Sequence, residues 1–268
     1  MRATFVLAPA GAKRLIARGV LQDPDLKRAL ASGRVIIAGG TTNGYIAEEL
    51  GLLDPESKPV YTAGVITGGV MCISPVEQRV APICLENGQR VETPWETFLQ
   101  QFGPDDVFLK GANALDAGYQ AGILLGSPTG GTTGTALGVL AARGCHLILP
   151  VGHEKMIPSC EEAAEWMGID RIDESLGMRC GFLAVPYGRV FTEIEALHLL
   201  FGVRSRVVAA GGIGGSEGSV MFAVEGEAGA VERTVDAVRN LIKEKPLTGR
   251  KTRCADCLVP CSFRMRRR

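Results

Sequence analysis

The sequence is short of aromatic residues, of net charge and of long apolar runs. Only 6% of its 268 residues are aromatic, and 29 basic residues balance 29 acidic ones, so no field of one sign draws the chain to nucleic acid or to an anionic membrane. No apolar run approaches the roughly 20 residues of a membrane span, and charges interrupt residues 1–19 before a secretory signal could form. We therefore expect a cytoplasmic protein that binds neither membranes nor, as its main partner, nucleic acid.

Glycine and aliphatic residues are plentiful instead. The 35 glycines fall mainly at the ends of predicted strands, which is typical of the loops of an α/β sheet. The run Arg34-Val-Ile-Ile-Ala38 suits a strand buried on both faces, and the segment after it places Ile46 and Leu50 on one helix face. Asn87-Gly88 predicts one antiparallel hairpin as an insertion. Over residues 1–177 we predict an α/β domain with a mostly parallel sheet flanked by helices.

The pattern changes after residue 177. The order strand, helix, strand, strand, helix over residues 178–246 predicts a smaller ferredoxin-like α+β domain. We interpret the glycine-rich segment Gly211–Gly218 as a hairpin loop, because no helix follows it as a dinucleotide-binding loop would require. Residues 247–268 form a polar, basic tail that carries three of the eight cysteines.

Two glycine-rich loops follow predicted strands, and both have the composition of anion sites. Each leads into a helix, whose first backbone N–H groups can bind phosphate or carboxylate oxygens. We expect the loops to converge, because the carboxyl ends of parallel strands meet at one edge of a sheet. The alternative is that the glycines form tight turns and the hydroxyls cap helices. The residues predicted to bind the anion are Gly39, Gly40, Thr41, Thr42, Asn43, Gly111, Asn113, Ser127, Thr129, Gly130, Gly131 and Thr132.

Two of these segments resemble a known superfamily. The segment Gly39-Gly-Thr-Thr-Asn43 after its strand, together with Asp106-Val-Phe-Leu-Lys-Gly-Ala-Asn-Ala-Leu-Asp116, is similar to the fold of ribose-5-phosphate isomerase, glucosamine-6-phosphate deaminase, CoA transferases and initiation factor 2B-related proteins. The resemblance implies that the first loop binds phosphate and that a Gly-Ala-Asp motif supplies an acid. Asn113 stands in place of that aspartate, and an amide cannot take up a proton at neutral pH.

Acid–base chemistry is predicted from groups near the same edge. Asp116 keeps a carboxylate close to Asn113, and His153-Glu-Lys155 follows the next predicted strand. In an aldose–ketose isomerisation a carboxylate removes the proton beside the carbonyl, and a lysine stabilises the enediolate oxygen. The alternative is that Glu154 and Lys155 only begin a solvated loop. The residues predicted to be catalytic are Asp116, Glu154, Lys155 and Lys110.

Other ionisable residues are interpreted as structural. Glu193 and Glu195 fall in the first turn of a predicted helix, where acids favour the helix dipole. His153 alone is a weak catalytic candidate. Glu217, in the glycine-rich loop, would contribute only if the small domain folded over the site.

Three cysteines near the end form a C-x2-C-x3-C cluster. In a reducing compartment such spacing indicates a metal site or redox-active thiols rather than disulfides. A zinc ion or an iron–sulfur cluster needs a fourth ligand besides these three thiols. It would come from Cys160, Cys180, another chain or a non-protein ligand. The predicted metal ligands are Cys254, Cys257 and Cys261, and the predicted cofactor is zinc or an iron–sulfur cluster.

The motifs together predict an enzyme that binds a small phosphorylated or CoA-linked metabolite, most simply with a sugar-phosphate isomerase-like activity. We also expect a homo-oligomer. The alternative is a non-catalytic metabolite sensor or regulatory protein in which the cysteines report metal or redox state. Asn113 favours the sensor, whereas His153-Glu-Lys155 favours the enzyme.

Overall fold

The structure is a computed structural model that describes residues 1–257, 259, 261 and 262. Strands and helices alternate through most of this chain. Among the described residues, none of the helices combines the length and the apolar character needed to cross a bilayer. In chain order the elements are β1 Arg2–Leu7, α1 Pro9–Val20, α2 Pro24–Ser32, β2 Arg34–Ile37, α3 Thr41–Glu49, β3 Gly64–Thr67, β4 Val70–Ile73, β5 Ile83–Glu86, β6 Gln89–Val91, α4 Trp95–Leu99, β7 Val107–Leu109, β8 Ala114–Leu115, β9 Ala121–Leu125, α5 Gly131–Arg143, β10 His146–Pro150, α6 Cys160–Trp166, β11 Gly181–Ala184, β12 Arg189–Phe191, α7 Glu193–Phe201, β13 Arg204–Gly211, β14 Ser219–Glu225 and α8 Ala228–Leu241.

The largest sheet has six strands in the order β12-β10-β7-β2-β5-β6. Its first four strands run parallel, and β5 and β6 add an antiparallel edge. The sheet is therefore mixed, which corrects the expectation of a mostly parallel one. The antiparallel part is the hairpin predicted from Asn87-Gly88, whose φ angles of 50° and 74° place both residues in the left-handed region that a two-residue hairpin turn requires.

The parallel strands lie between two apolar layers. Val35, Ile36 and Ile37 of β2 are all fully buried, and alternate residues of the strand belong to different core clusters. A strand buried on both faces needs apolar residues at every position, which explains the continuous run in the sequence. Helices α1 and α3 cover one face, and α5 covers the other.

A second sheet is built from both ends of the chain. Its order is β1-β14-β13, and all of its pairs are antiparallel. The predicted small domain included neither β1 nor this pairing, and its expected first strand, β11, pairs instead with β9. Helices α1 and α7 pack so closely that a side chain on Gly19 would collide with Ala196. The N-terminal segment and the C-terminal segment thus share one core, while the domain limits at residues 177 and 246 stay predictions.

Candidate functional site

The ends of β2, β7 and β10 lie side by side. A Cβ atom on Gly111 would lie 3.8 Å from the carbonyl oxygen of Pro150 and 4.0 Å from Asn43 Oδ1, and one on Gly40 would lie 4.0 Å from the Gly111 Cα. The three strand ends therefore lie within van der Waals reach of one another. In open α/β sheets, ligands bind beyond such carboxyl ends.

Asn43 ties two of the strand ends together. Its Nδ2 donates to the carbonyl oxygens of Ala38 at 2.8 Å and Leu109 at 3.0 Å. Its Oδ1 and the hydroxyl of Thr42 are buried without a hydrogen-bond partner in the described part of the chain. Helix α3 begins beside them at Thr41, with no side-chain cap on Gly40. Unpaired polar atoms and an uncapped helix N-terminus leave hydrogen-bonding capacity for a ligand.

Two lysines lie beyond the same strand ends. Lys110 Nζ donates to the carbonyl of Gly111 at 3.2 Å, and Lys155 Nζ donates to that of Ala112 at 2.7 Å. Burial, together with the neighbouring charge of Lys155, lowers the pKa of Lys110 to about 8. Burial also lowers the pKa of Lys155 to about 8. Neither lysine has a carboxylate within ion-pair distance among the described residues, although the charge of Glu154 favours the protonated form of Lys155.

Glu154 lies among these charges. Its Oε1 accepts from Lys13 Nζ at 3.0 Å, while its Oε2 is buried without a hydrogen-bond partner among the described residues. Burial opposes ionisation, but the charges of Lys13 and Lys155 outweigh it and lower the pKa of Glu154. A side chain on Gly152 would collide with this carboxylate and also approach Glu193 Oε1 at 2.9 Å. Glycine at this position therefore lets two carboxylates approach the same stretch of backbone.

His153 connects a buried carboxylate to a solvent-exposed phenol. Its Nδ1 lies 2.6 Å from Glu193 Oε2, and its Nε2 lies 3.2 Å from the Tyr119 hydroxyl. Because a carboxylate only accepts, Nδ1 carries a hydrogen and donates to Glu193, and Nε2 faces the phenol. Burial raises the pKa of Tyr119, which keeps its proton in place at neutral pH. Glu193 is fully buried, whereas Tyr119 is 44% exposed, so the chain of hydrogen bonds opens to solvent.

Sequence reasoning missed Lys13, Glu193 and Tyr119. The sequence interpretation of Glu193 is an acid in the first turn of a helix. It does lie in that turn, where Thr192 and Glu195 form a capping box, yet its own carboxylate points to His153. The unusual feature of Tyr119 is its backbone φ angle of 60°, which only the structure reveals. A non-glycine residue in the left-handed region is often found at a functional site.

Asp116, a predicted catalytic residue, has a different environment. Its carboxylate accepts the backbone N–H groups of Gly118 at 2.9 Å, Gln120 at 3.0 Å and Cys160 at 3.0 Å. The bond from Cys160 is the main cause of the lowered pKa of Asp116. Its role as a catalytic acid stays a prediction, and its contacts favour shaping the 116–120 turn.

The second glycine-rich loop and Asn113 belong to another part of the fold. The loop follows β9, a strand of the three-stranded sheet β11-β9-β8, and the hydroxyls of Ser127 and Thr129 lie 3.0 Å from each other. Asn113 Oδ1 accepts from the backbone of Leu124 at 3.0 Å. In the described part of the chain, no hydrogen bond or ion pair joins Ser127 or Thr129 to Lys110. Anion binding by this loop stays a prediction.

A cavity of about 270 Å³ opens beside the N-terminus of α3. Lys13, Thr41 and Tyr45 line it from the sheet side, and Leu247 and Gly249 of the tail line it opposite. The N-terminus of α3 and Lys13, which binds Glu154, thus border a space that a small metabolite could occupy. Lys110 and Lys155 are not among the described residues that line it. We define the carboxyl-edge site by the following residues: Lys13, Thr41, Asn43, Lys110, Tyr119, His153, Glu154, Lys155 and Glu193.

The tail cysteines lie elsewhere. Cys254, Cys257 and Cys261 line a second cavity together with Cys72 of β4. Burial raises the pKa of Cys72, and the charges of Cys257 and Cys254 act in the same direction. No group of three or more His, Cys, Asp or Glu side chains among the described residues is arranged around a single ion position.

The fold and site define an α/β protein with a mixed sheet and a polar site at the carboxyl ends of its parallel strands. No protein-family model, no curated protein and no solved structure matches this chain.

Proposed function

We propose that this protein is an enzyme that binds a small anionic metabolite, a sugar phosphate or a related ester, and transfers a proton on it in an isomerase-like reaction. The pair formed by Lys110 and Lys155 carries the proposal. Both pKa values are lowered to about 8, so at neutral pH both groups are protonated and close together, and neither is bonded to a carboxylate of the described residues. A bound phosphate or carboxylate would relieve that repulsion.

The proton-transfer unit in this proposal is Glu193–His153–Tyr119. A histidine whose Nδ1–H is held by a buried carboxylate has a defined tautomer, so its Nε2 can exchange a proton with a substrate or through the phenol. Glu154, named as a catalytic carboxylate from the sequence, has one oxygen engaged by Lys13. Here it helps to hold the lysines, while Lys110 and Lys155 stabilise the developing enediolate oxygen.

The resemblance to sugar-phosphate isomerases and CoA transferases supports the substrate class through the Gly39–Asn43 loop. A second candidate is a non-catalytic metabolite sensor. It is favoured by Asn113, whose side-chain oxygen binds the Leu124 backbone and supplies no acid. Both candidates require anion binding at the carboxyl-edge site, and only the enzyme requires proton transfer there.

Binding is tested by thermal-shift measurements with inorganic phosphate, aldose and ketose phosphates, acyl-CoAs and nucleotides. We expect stabilisation by at least one sugar phosphate, and a loss of about tenfold or more in affinity, about 1.4 kcal/mol, in Lys110→Met and Lys155→Met. Lys243→Met changes an exposed lysine and serves as the control. No stabilisation by any ligand, or an equal effect of the control, would overturn the proposal.

Catalysis is tested separately with the ligand that stabilises the protein. In D₂O, an isomerase that removes the proton beside a carbonyl exchanges it with solvent deuterium, which proton NMR detects. We expect exchange in the wild type. Binding without any exchange or turnover would leave the sensor as the function.

A further inference from the structure

Four cysteines from segments remote in sequence line one cavity. Cys72 lies in β4, and Cys254, Cys257 and Cys261 lie in the tail. The cavity has a volume of about 220 Å³. Cys72 was absent from the ligands considered from sequence, where Cys160 and Cys180 were the intramolecular candidates for a fourth thiol.

Backbone contacts hold the tail against the β3–β4 hairpin. Thr252 N–H donates to the carbonyl oxygen of Ile73 at 2.9 Å, one residue beyond Cys72. Gly249 approaches the hairpin so closely that a Cβ atom there would lie 2.6 Å from Thr67 Oγ1. The position of Cys72 opposite the tail cysteines therefore follows from packing and hydrogen bonding on both sides of the cavity.

The two alternative cysteines are engaged elsewhere. Cys160 Sγ donates to the carbonyl of Gln120 at 3.2 Å, and Cys180 Sγ lies 3.6 Å from the carbonyl oxygen of Met178. Neither belongs to the described lining of the cavity. Cys72 is thus the fourth thiol that the fold brings to the tail cluster.

We propose that Cys72, Cys254, Cys257 and Cys261 bind an iron–sulfur cluster. Four thiolates are the common ligand set of such clusters. The four cysteines line a space of about 220 Å³, which has room for a cluster of several atoms. A single zinc ion would need all four sulfurs at about 2.3 Å, and the described residues do not form such an arrangement. Val70 and Ile73 supply apolar walls, and Lys251 lines the same space, so its positive charge offsets the negative charge of a thiolate-ligated cluster.

The position of this centre links it to the carboxyl-edge site. The hairpin and the tail line both cavities: Thr67 and Gly249 border the larger one, and Cys72 and Cys254 border the smaller one. A cluster bound by both segments would fasten the tail to the hairpin and hold one wall of the metabolite cavity. The inference itself is independent of the proposed activity.

The test uses full-length protein purified without oxygen, in which iron, acid-labile sulfide and zinc are measured together with the visible absorption spectrum. We expect iron and sulfide in equal amounts in the wild type and in Cys180→Ala, and a loss of most of both in Cys72→Ala. Cys254→Ala changes an exposed cysteine, so its fold is expected to persist, and it should lose the cluster equally.

Several outcomes would overturn the proposal. These are zinc without sulfide, absence of both metals, and a folded Cys254→Ala or Cys72→Ala protein with its full iron content. Hydrogen exchange adds a readout that does not depend on activity. When a chelator removes the iron, the Thr252 amide should exchange faster, and unchanged exchange would contradict the fastening role.

Discussion

Two clusters of buried charge in this protein are built in opposite ways. The arginine cluster consists of Arg14, Glu48, Glu49, Lys58 and Glu244, and the lysine pair consists of Lys110 and Lys155. Tyr45 lies between the first cluster and the cavity of about 270 Å³ beside the N-terminus of α3. Its ring faces Arg14 at 4.7 Å and Lys58 at 4.2 Å.

In the arginine cluster, every cation has a carboxylate. The Arg14 guanidinium lies 2.7 Å from Glu48, 2.9 Å from Glu49 and 3.0 Å from Glu244. Burial acts to lower the pKa of Arg14, but the hydrogen bonds that Arg14 donates to Glu244 and Glu48, together with the charges of these carboxylates, outweigh it and raise the pKa. The cluster joins α1, α3 and the segment after α8, so its charges stabilise the fold.

In the lysine pair, burial prevails, and both pKa values fall to about 8. The only described acceptors of these two ammonium groups are backbone carbonyls of residues 111 and 112. Charges that the protein leaves unpaired at the end of a sheet are available to a ligand. The comparison therefore separates charge that is paired within the fold from charge to which we assign ligand binding.

The largest expected effect is on stability at the arginine cluster. Arg14→Met should lower the free energy of unfolding by about 3 kcal/mol, because it removes a buried guanidinium that binds three partly buried carboxylates. Arg18→Met, which removes an exposed arginine bound to Glu49, should lower it by about 1 kcal/mol at most. Urea denaturation measures both. Equal losses would remove the distinction between the two arginines.

The next effect is on catalysis. Glu193→Gln should reduce turnover about 100-fold or more, because the amide no longer holds His153 in one tautomer, while phosphate affinity stays within a factor of about two. Glu195→Gln changes the acid of the capping box in the same helical turn and is the matched control. A similar loss of turnover in both variants would indicate a structural effect of the helix N-terminus.

Neutralising a lysine of the pair should raise the free energy of unfolding, whereas neutralising Arg14 should lower it. Between pH 8 and the ordinary lysine pKa of 10.5, the unfolded chain binds more protons than the folded one, so stability rises with pH across this window. Below pH 8 the full destabilisation is present. Lys110→Met should therefore raise the free energy of unfolding at pH 7 by roughly 1 kcal/mol.

Thermal unfolding at pH 7 and at pH 10.5 measures this effect. The increase in the free energy of unfolding caused by Lys110→Met should be smaller at the higher pH, because Lys110 of the wild type has lost its charge there. Anion affinity of the wild type should likewise fall as pH rises through 8. A variant that is less stable than the wild type at pH 7 would assign Lys110 to the fold rather than to binding.

The smallest effect is expected at Asn113. Its Oδ1 accepts one backbone hydrogen bond at an exposed position, and an aspartate oxygen can accept the same bond. Asn113→Asp should change the free energy of unfolding by less than about 0.5 kcal/mol and leave phosphate affinity unchanged. A several-fold gain in turnover would instead place residue 113 in the reacting centre, as the superfamily resemblance implies.

Part of the candidate site could be predicted from the sequence because its signals are local. An apolar run followed by Gly-Gly-Thr-Thr-Asn indicates a strand end and a helix start, and α3 does begin at Thr41. Lys110 and Lys155 each follow such a strand. Their lowered pKa values could not be predicted, because they depend chiefly on burial, which arises only when the chain folds.

The contacts between residues that are distant in the sequence could not be predicted, because they too arise only on folding. His153 contacts Glu193 because β10 and β12 pair in parallel, and Cys72 meets the tail because the hairpin and the tail share a surface. β1 joins β14 from the opposite end of the chain. Each of these partners is more than 35 residues away, beyond the range of periodicity, capping or turn chemistry.

The sequence by itself determined the alternation of strands and helices, the glycine-rich strand ends and the supply of lysines and cysteines, because each of these follows from residues within a few positions of one another. The tertiary structure decided which charges are paired and which are left for a ligand. That outcome depends on burial and on distance, and both arise only when apolar segments from distant parts of the chain pack into one core.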